Sequence, residues 1–239
     1  GVSVRYVSSV QELGQPDMIF LPGSKNTMGD LCWMRQNGLE AAVKKLAVHI
    51  PVWGICGGYQ MLGRTISDPH GVENENSLRE PLRGMELIDT DTTLMPEKMR
   101  TQTRGKFENV TGIFSTLSGL EFSGYEIHMG KTTVSTGEHQ TPLVQLADGR
   151  TDGVQRMEKG SEAPGVYGSY VHGIFDDGDI AVRIVQALAD KKRVSWKPEA
   201  GGDYHAFKEQ QYDKLAQGLR EHLDMEYVYS ILQESRISS

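Results

Sequence analysis

The sequence lacks the features that mark several common classes of protein. No apolar run approaches the ~20 residues that cross a bilayer, and the first ten residues do not follow the signal-peptide pattern. Its 25 basic residues are outnumbered by 32 acidic ones and form no stripe that could hold a phosphate backbone. We therefore expect a cytoplasmic protein that binds neither nucleic acid nor membrane.

Cysteine is scarce, and the common metal and nucleotide motifs are missing. Cys32 and Cys56 are the only cysteines in 239 residues, too few for the disulfide framework of a small secreted domain. Neither CxxC nor HExxH spacing occurs, and no segment fits the phosphate loop GxxxxGK[ST]. We predict no metal site and no ATP site on this chain.

The apolar residues follow a pattern that predicts an α/β protein. Short strand-like runs occur at residues 2–7, 18–21 and 51–55, and apolar residues recur at helical spacing at 31–34 and 39–48. Because a strand, a helix and a strand in succession favour parallel pairing, we predict a doubly wound, mostly parallel sheet. Helices should then cover both of its faces.

The remainder of the chain predicts an insertion and a tail. Residues 67–160 carry short β-type runs such as 124–129 and 143–146, which indicates a β-rich insertion in the middle of the domain. The later elements that we predict are a core strand at 166–171, a helix at 180–189 capped by Asp177 or Asp179, and helix from 204 to 232. We expect an α/β domain at 1–195, lacking its first strand, and a helical tail packed on it at 196–239.

The strongest local signal is G-x-C-x-G, which surrounds Cys56 where the apolar run 51–55 ends. A sharp turn from a strand into a helix presents a nucleophile, and the flanking glycines avoid clashes with neighbouring elements. The start of the helix should lower the pKa of the thiol and offer N–H donors to an oxyanion. Cys32 lies in an amphipathic stretch without glycines, and we interpret it as a packing residue.

A cysteine nucleophile needs a proton acceptor, and histidine suits that role near neutral pH. Among seven histidines, His172 follows the predicted core strand 166–171, and ligands collect at the carboxyl ends of parallel strands. His128 is left open between a wall of the site and a structural residue. The other five lie in polar or peripheral segments, where a solvated surface role is the better interpretation.

Four segments together resemble the class I glutamine amidotransferases, and among them the glutaminase domain of cobyric acid synthases. They are LPGSKNT (21–27), GICGGYQMLG (54–63), GYEIHMG (124–130) and GSYVHGIFD (168–176), joined by the tail segment YDKLAQGLREHLD. The likeness spans nearly the whole chain, although G-x-C-x-G alone would also admit other cysteine hydrolases.

The resemblance implies a role for each matching position. Cys56 would be the nucleophile and His172 its partner, so that glutamine is hydrolysed to glutamate and ammonia through a thioester. The other positions implied at the site are Gly23 and Gly57 near the oxyanion, Gln60 in contact with glutamine, and His128 and Met129 at the border of the pocket.

The resemblance also implies a partner. In the family, ammonia passes to a synthetase domain that uses ATP and magnesium to amidate corrinoid carboxylates, and this chain does not contain that domain. Many class I enzymes have a glutamate where Ile174 stands here, so a Cys/His dyad is expected. Asp176 and Asp177 could orient His172, but capping a helix is the favoured interpretation.

Two rival hypotheses are kept. One is the glutaminase subunit of a cell-wall (lipid II) amidotransferase, which shares the GICGGYQ type of turn. The other is a non-catalytic amidotransferase-like domain, against which the presence of both Cys56 and His172 argues.

Overall fold

The structure is a computed structural model that describes residues 2–73, 80–135, 139–157, 165–176, 178–198 and 204–237. The chain forms two compact units, Gly1–Pro198 and Glu199–Ser239. Within the described residues, no helix is long and apolar enough to cross a membrane.

The first unit alternates helices with strands before it becomes mostly β. Its helices are α1 (Val10–Leu13), α2 (Thr27–Gln36), α3 (Leu39–Leu46), α4 (Gly57–Leu62), a 3-10 helix (Gly112–Leu117) and α5 (Gly178–Lys192). Its strands are β1 (Ile19–Leu21), β2 (Val52–Ile55), β3 (Thr65–Ser67), β4 (Leu82–Arg83), β5 (Thr90–Phe107), β6 (Glu121–Val134), β7 (Gln140–Leu146), β8 (Thr151–Arg156), β9 (Val166–Ser169) and β10 (Val171–His172).

These strands form one mixed sheet in the order β1-β2-β9-β8-β7-β5-β3-β4, with β6 paired to β5 and β10. The pairs β1–β2, β2–β9 and β3–β5 are parallel, and the remaining pairs are antiparallel. The predicted α/β fold is confirmed. The predicted β-rich middle contains the long antiparallel pair of β5 and β6, whose register shifts between Leu94 and Met99.

Helices cover both faces of the sheet, and β2 shows the division. Val52 and Trp53 are both fully buried, but Val52 packs in the cluster that contains Leu31 and Val43 of α2 and α3. Trp53 packs in a second cluster that contains Ile180 of α5. Since successive side chains of a strand point to opposite faces, this alternation accounts for the continuous apolar run in the sequence.

The strand predicted at residues 2–7 is wrong, because this segment has no regular secondary structure. Val4 and Tyr6 are 82% and 96% exposed. Within the described residues, β1 pairs only with β2, so no neighbouring strand receives the backbone of residues 2–7. An alternating pattern forms a strand only where a partner pairs with it.

Two details of the helices differ from the predictions. Helix α5 begins at Gly178, so Asp179 lies inside its first turn rather than at a cap, and Asp177 falls outside the described residues. In the second unit, the predicted helix is two helices, α6 (Tyr204–His222) and α7 (Met225–Ile237). Asp224 accepts a hydrogen bond from the Tyr227 N–H at 3.0 Å and so caps the second one. The packing of this tail on the first unit stays a prediction.

Candidate active site

Cys56 lies between β2 and α4 in a backbone conformation that few side chains adopt. Its φ is 52° and its ψ is −109°, whereas L-residues other than glycine rarely have a positive φ. Such a conformation costs roughly 1–3 kcal/mol and persists only where the surroundings enforce it. The structure therefore forms the strained strand-to-helix turn that the G-x-C-x-G pattern predicted.

The glycines on either side allow three backbones to meet at this turn. A Cβ on Gly58 would lie 2.0 Å from the carbonyl oxygen of Leu21, and a Cβ on Gly54 would lie 2.6 Å from the carbonyl carbon of Gly58. Any side chain at either position would therefore push β1, β2 and α4 apart. This contact holds the start of the LPGSKNT segment against the Cys56 turn.

His172 reaches the same region from β10, the last strand of the unit. The Cys56 N–H donates to the Ser169 carbonyl oxygen at 2.9 Å, so the end of β9 is bonded to the turn of the cysteine. Strand β10 then pairs with β6, with His172 opposite Tyr125. The two rings stack with centroids 5.1 Å apart and planes 3° apart, which orients the imidazole.

Gly23 shows that the cysteine and the histidine share one space. A Cβ on Gly23 would lie 2.9 Å from His172 Cε1 and 3.6 Å from Cys56 Cβ. Both side chains therefore lie within 4 Å of one point above the Gly23 backbone. The structure brings together three of the positions that the sequence selected.

In this structure the thiol of Cys56 points toward β6. Its Sγ donates a hydrogen bond to the carbonyl oxygen of Ile127 at 3.5 Å. The hydrogen bonds of the described residues do not include one between the thiol and the His172 imidazole. Direct proton transfer between them would thus require one of the two side chains to move.

The charge states of the pair differ from the prediction. Burial raises the pKa of Cys56 to about 11, and this effect exceeds the opposing hydrogen bond from the backbone of Gly57. Burial, and then the charge of His128, lower the pKa of His172 below 6.5. The predicted lowering of the thiol pKa is therefore wrong. The resting pair consists of a thiol and a neutral imidazole at neutral pH.

Gln60 lies one turn into α4 and is only 3% exposed. Its side-chain oxygen accepts a hydrogen bond from the Thr27 hydroxyl at 3.2 Å, and its nitrogen donates to the Tyr170 hydroxyl at 3.1 Å. Tyr170 is also bonded to Thr132 at 2.5 Å. These two hydrogen bonds use one of the two N–H donors of the Gln60 amide and one lone pair of its oxygen. Its predicted substrate contact stays a prediction.

His128 lies on β6 directly after Ile127. Its Nδ1 is 2.9 Å from the Gly130 carbonyl oxygen, and its ring stacks on Tyr170 with centroids 3.7 Å apart. Its Nε2 is buried without a hydrogen-bond partner and lies 3.7 Å from Glu126 Oε1. The ring is thus packed beside the site, and its role stays a prediction.

Glu126 is a buried charge on β6 next to this ring. His128 and the guanidinium of Arg150, which donates to both carboxylate oxygens, hold the pKa of Glu126 low, at about 2. Met129, the other predicted border residue, is half-buried on β6 where the pairing with β5 is irregular.

The sequence did not single out several residues that the structure places around the pair. Asp152, 8% exposed, accepts hydrogen bonds from the Ser169 hydroxyl at 2.6 Å and the Tyr170 N–H at 3.0 Å. It therefore fixes the turn between β9 and β10. Tyr125 and Tyr170 lie inside the motifs GYEIHMG and GSYVHGIF, so a signal for them was present.

Other residues considered from the sequence lie outside this arrangement. Cys32 is in α2, half-buried, as expected of a packing residue. Asp176 lies 3.3 Å from the position of a Cβ on Gly173, and the hydrogen bonds of the described residues do not join it to His172. Within the described part of the chain, no group of three His, Cys, Asp or Glu side chains could hold a metal ion.

Comparison with known proteins identifies the family of the chain. Residues 1–180 match the family described as the CobB/CobQ-like glutamine amidotransferase domain. The cobyric acid synthase of Ruminiclostridium cellulolyticum is 48% identical over 97% of this chain and 44% of that protein. The cobyric acid synthase of Lachnoclostridium phytofermentans is 41% identical over 98% and 46%. The chain thus spans less than half the length of these curated relatives.

A solved structure supports the fold. PurLQS from Thermotoga maritima aligns over 79% of this chain and 85% of that chain, with a TM-score of 0.54. Since the sequences are only 16% identical, this likeness shows the fold alone.

Proposed function

The chain belongs to the family of CobB/CobQ-like glutamine amidotransferase domains, and we propose that it hydrolyses glutamine to glutamate and ammonia through a thioester on Cys56. The observation that carries this proposal is the shared space above Gly23, where the Cys56 and His172 side chains both lie within 4 Å of one point. A nucleophile on a strained turn beside an imidazole is the arrangement that acyl transfer requires.

The proposed reaction begins when the Cys56 thiol leaves the Ile127 carbonyl and transfers its proton to neutral His172. The sulfur attacks the side-chain carboxamide of glutamine, and the N–H of Gly57 stabilises the oxyanion. His172 then gives the proton to the departing nitrogen, so ammonia leaves and a thioester remains. Water hydrolyses the thioester with His172 as its base, which releases glutamate and restores the thiol.

The resting charges favour a reaction that depends on bound substrate. A buried thiol with a pKa of about 11 next to an imidazole with a lowered pKa contains little thiolate at neutral pH. We therefore expect weak glutaminase activity from the chain by itself. Engagement of a synthetase partner should raise it.

The names of the relatives suggest where the ammonia goes. We propose that it is delivered to an ATP-dependent synthetase that amidates corrinoid side-chain carboxylates in cobalamin biosynthesis, because the relatives are cobyric acid synthases. ATP and magnesium would act on the synthetase, and this chain would need no cofactor. The same relatives favour this proposal over the cell-wall rival.

Covalent labelling tests the assignment of the nucleophile. The glutamine analogue 6-diazo-5-oxonorleucine should label Cys56, as identified by mass spectrometry of the modified peptide. Cys56→Ala should abolish labelling, whereas the matched variant Cys32→Ala should retain it. Labelling that persists in Cys56→Ala would reject the assignment, and absence of labelling in the wild type would favour a non-catalytic domain.

Turnover of the isolated chain tests the dependence on a partner. Glutamate production should be slow for the chain alone and should increase when a synthetase region of a relative is added with ATP and its corrinoid substrate. Vigorous turnover without the partner would contradict this expectation.

A further inference from the structure

We propose that Glu73 binds the α-ammonium group of the substrate glutamine. This inference rests on the proposed glutaminase function and extends it to the part of the substrate that does not react. In the proposed reaction, Cys56 and His172 act only on the side-chain carboxamide of glutamine. A glutaminase must also bind the α-ammonium and α-carboxylate groups.

The contacts of Glu73 place its carboxylate beside the nucleophile turn. Its Oε2 accepts a hydrogen bond from the N–H of Met28, in the first turn of α2, at 2.9 Å. The chain leading into α2 touches the residue after the nucleophile, since a Cβ on Gly57 would lie 2.7 Å from the Ser24 nitrogen and 3.1 Å from Thr27 Oγ1. Glu73 is thus bonded to the segment that packs against the Cys56 turn.

The backbone of Glu73 is held in place by a second carboxylate. Asp68, which is 3% exposed, accepts hydrogen bonds from the N–H groups of Val72 at 2.7 Å and of Glu73 at 3.0 Å. A binding group that is fixed before the ligand arrives loses less conformational entropy on binding. The carboxylate is therefore preorganised.

Two other carboxylates near the site already have partners. Glu126 is 1% exposed and receives two hydrogen bonds from Arg150. Asp152 is buried and bonded to Ser169 and the Tyr170 backbone. Glu126 thus already has a counter-ion in Arg150, and Asp152 holds the turn between β9 and β10.

Glu73 differs because the salt bridges of the described residues do not include it with any Lys, Arg or His. A half-buried carboxylate without a counter-ion is costly. A ligand that carries an ammonium group supplies the missing charge. Glutamine is such a ligand, and only three carbon–carbon bonds separate its Cα from the carboxamide carbon that Cys56 would attack.

The charge of Glu73 also affects the pKa of the Cys56 thiol. After burial, which is the main cause, the negative charge of Glu73 also raises the pKa of Cys56. An ammonium group bound to Glu73 would cancel that charge and favour the thiolate. Substrate recognition would then also promote formation of the nucleophile.

The test compares reagents with and without an ammonium group in Glu73→Gln. The amide oxygen of the side chain introduced at position 73 can still accept the hydrogen bond from the Met28 N–H, so the fold should be retained. The negative charge of the side chain is lost. The KM for glutamine and the KI for 6-diazo-5-oxonorleucine should each rise about tenfold or more, because a charge-assisted contact is removed. The kcat should change little.

Iodoacetamide and glutaramate, the glutamine analogue without an α-amino group, are the two compounds whose reactions Glu73→Gln should not weaken. Alkylation of Cys56 by iodoacetamide should be at least as fast in Glu73→Gln as in the wild type, since less charge opposes the thiolate. The KM for glutaramate should stay the same. If the substitution only damaged the structure of the site, the reactions with glutamine, 6-diazo-5-oxonorleucine, iodoacetamide and glutaramate would all be weakened alike. Glu121→Gln removes an exposed carboxylate at the start of β6 and serves as the charge-matched control.

The outcomes separate this inference from the proposed function. If 6-diazo-5-oxonorleucine labels the wild type and Glu73→Gln with equal KI, Glu73 does not bind the ammonium group although the glutaminase assignment stands. If the wild type is not labelled at Cys56, the proposed function itself fails. An equal rise in the KM for glutamine and the KM for glutaramate in Glu73→Gln would also overturn the role of Glu73.

Discussion

Replacing Gly23 with alanine should disable the site while leaving the fold intact. The new methyl group would lie 2.9 Å from His172 Cε1 and 3.6 Å from Cys56 Cβ. To reach an ordinary contact of 3.4 Å, the imidazole must withdraw by about 0.5 Å, and its stacking on Tyr125 resists that movement. The substitution therefore places a methyl group between the proposed nucleophile and the proposed base and displaces the imidazole.

The magnitude follows from the sensitivity of catalysis to geometry. A misplacement approaching 1 Å costs about 10²-fold, so we expect kcat/KM to fall by roughly 10- to 100-fold, or about 1.4–2.7 kcal/mol. The atom that must yield is the end of a side chain, so the free energy of unfolding should fall by only about 1 kcal/mol. For a chain of this size, that corresponds to roughly 2–4 °C in Tm.

The assay is glutamate production and the rate of 6-diazo-5-oxonorleucine labelling, measured beside thermal unfolding. Gly218→Ala is the control, because its methyl group meets no atom within 4 Å and lies in helix α6. It should keep full activity and gain up to about 1 kcal/mol of stability. Wild-type activity in Gly23→Ala would refute the view that this glycine lies between the reacting groups.

Three further perturbations test the packing and the charges. Gly58→Ala would put a methyl group 2.0 Å from a backbone oxygen of β1, so the free energy of unfolding in urea should fall by about 3 kcal/mol or more; an unchanged value would contradict the packing. Because burial raises the pKa of Cys56 to about 11, its alkylation by iodoacetamide without glutamine should accelerate about tenfold per pH unit from about pH 7 to 10; a plateau near pH 7 would show a lower pKa. His128 and Arg150 depress the pKa of Glu126 to about 2, so its stabilisation is present above the unfolded value of about 4.3 and lost as the pH falls toward 2. The stability gap between wild type and Glu126→Gln should therefore narrow below about pH 4, by on the order of 2 kcal/mol; a constant gap would argue against the charge pairing.

The parallel core could be predicted from the sequence because its signals are local. An apolar run that ends at Ile55, followed by glycines around Cys56, identifies a buried strand and a sharp turn. The strand at residues 2–7 shows the limit of such reasoning. Its alternation is as clear as that of real strands, but pairing depends on a neighbour that the local pattern does not reveal.

The long hairpin of β5 and β6 illustrates a second limit. Strand β5 extends over 18 residues, and most of its central residues are exposed, so no alternation of apolar residues marks its length. Its register is set by pairing with β6 and is shifted between Leu94 and Met99. Such a strand is defined by distant backbone partners rather than by its own side chains.

The sequence identified only part of the candidate site, because some of its residues are defined by contacts that the fold creates. Cys56 and His172 could be selected because nucleophile and base chemistry depends on residue type, and the resemblance added Gly23 and Gly57. Asp152 escaped notice, since its importance comes from hydrogen bonds to the β9–β10 turn that only the fold creates. Residue type alone cannot distinguish a surface aspartate from one that fixes a turn of the candidate site.

The direction of the thiol pKa shows how tertiary structure can reverse a local argument. The start of a helix favours a thiolate, and the backbone of Gly57 does act in that direction. Yet Cys56 is only 7% exposed, and desolvation has the larger effect. Burial disfavours the charged forms of Cys56 and His172 alike, while Glu73 adds a negative charge that a substrate cation can neutralise. A site with these properties would keep its thiol protonated until glutamine enters.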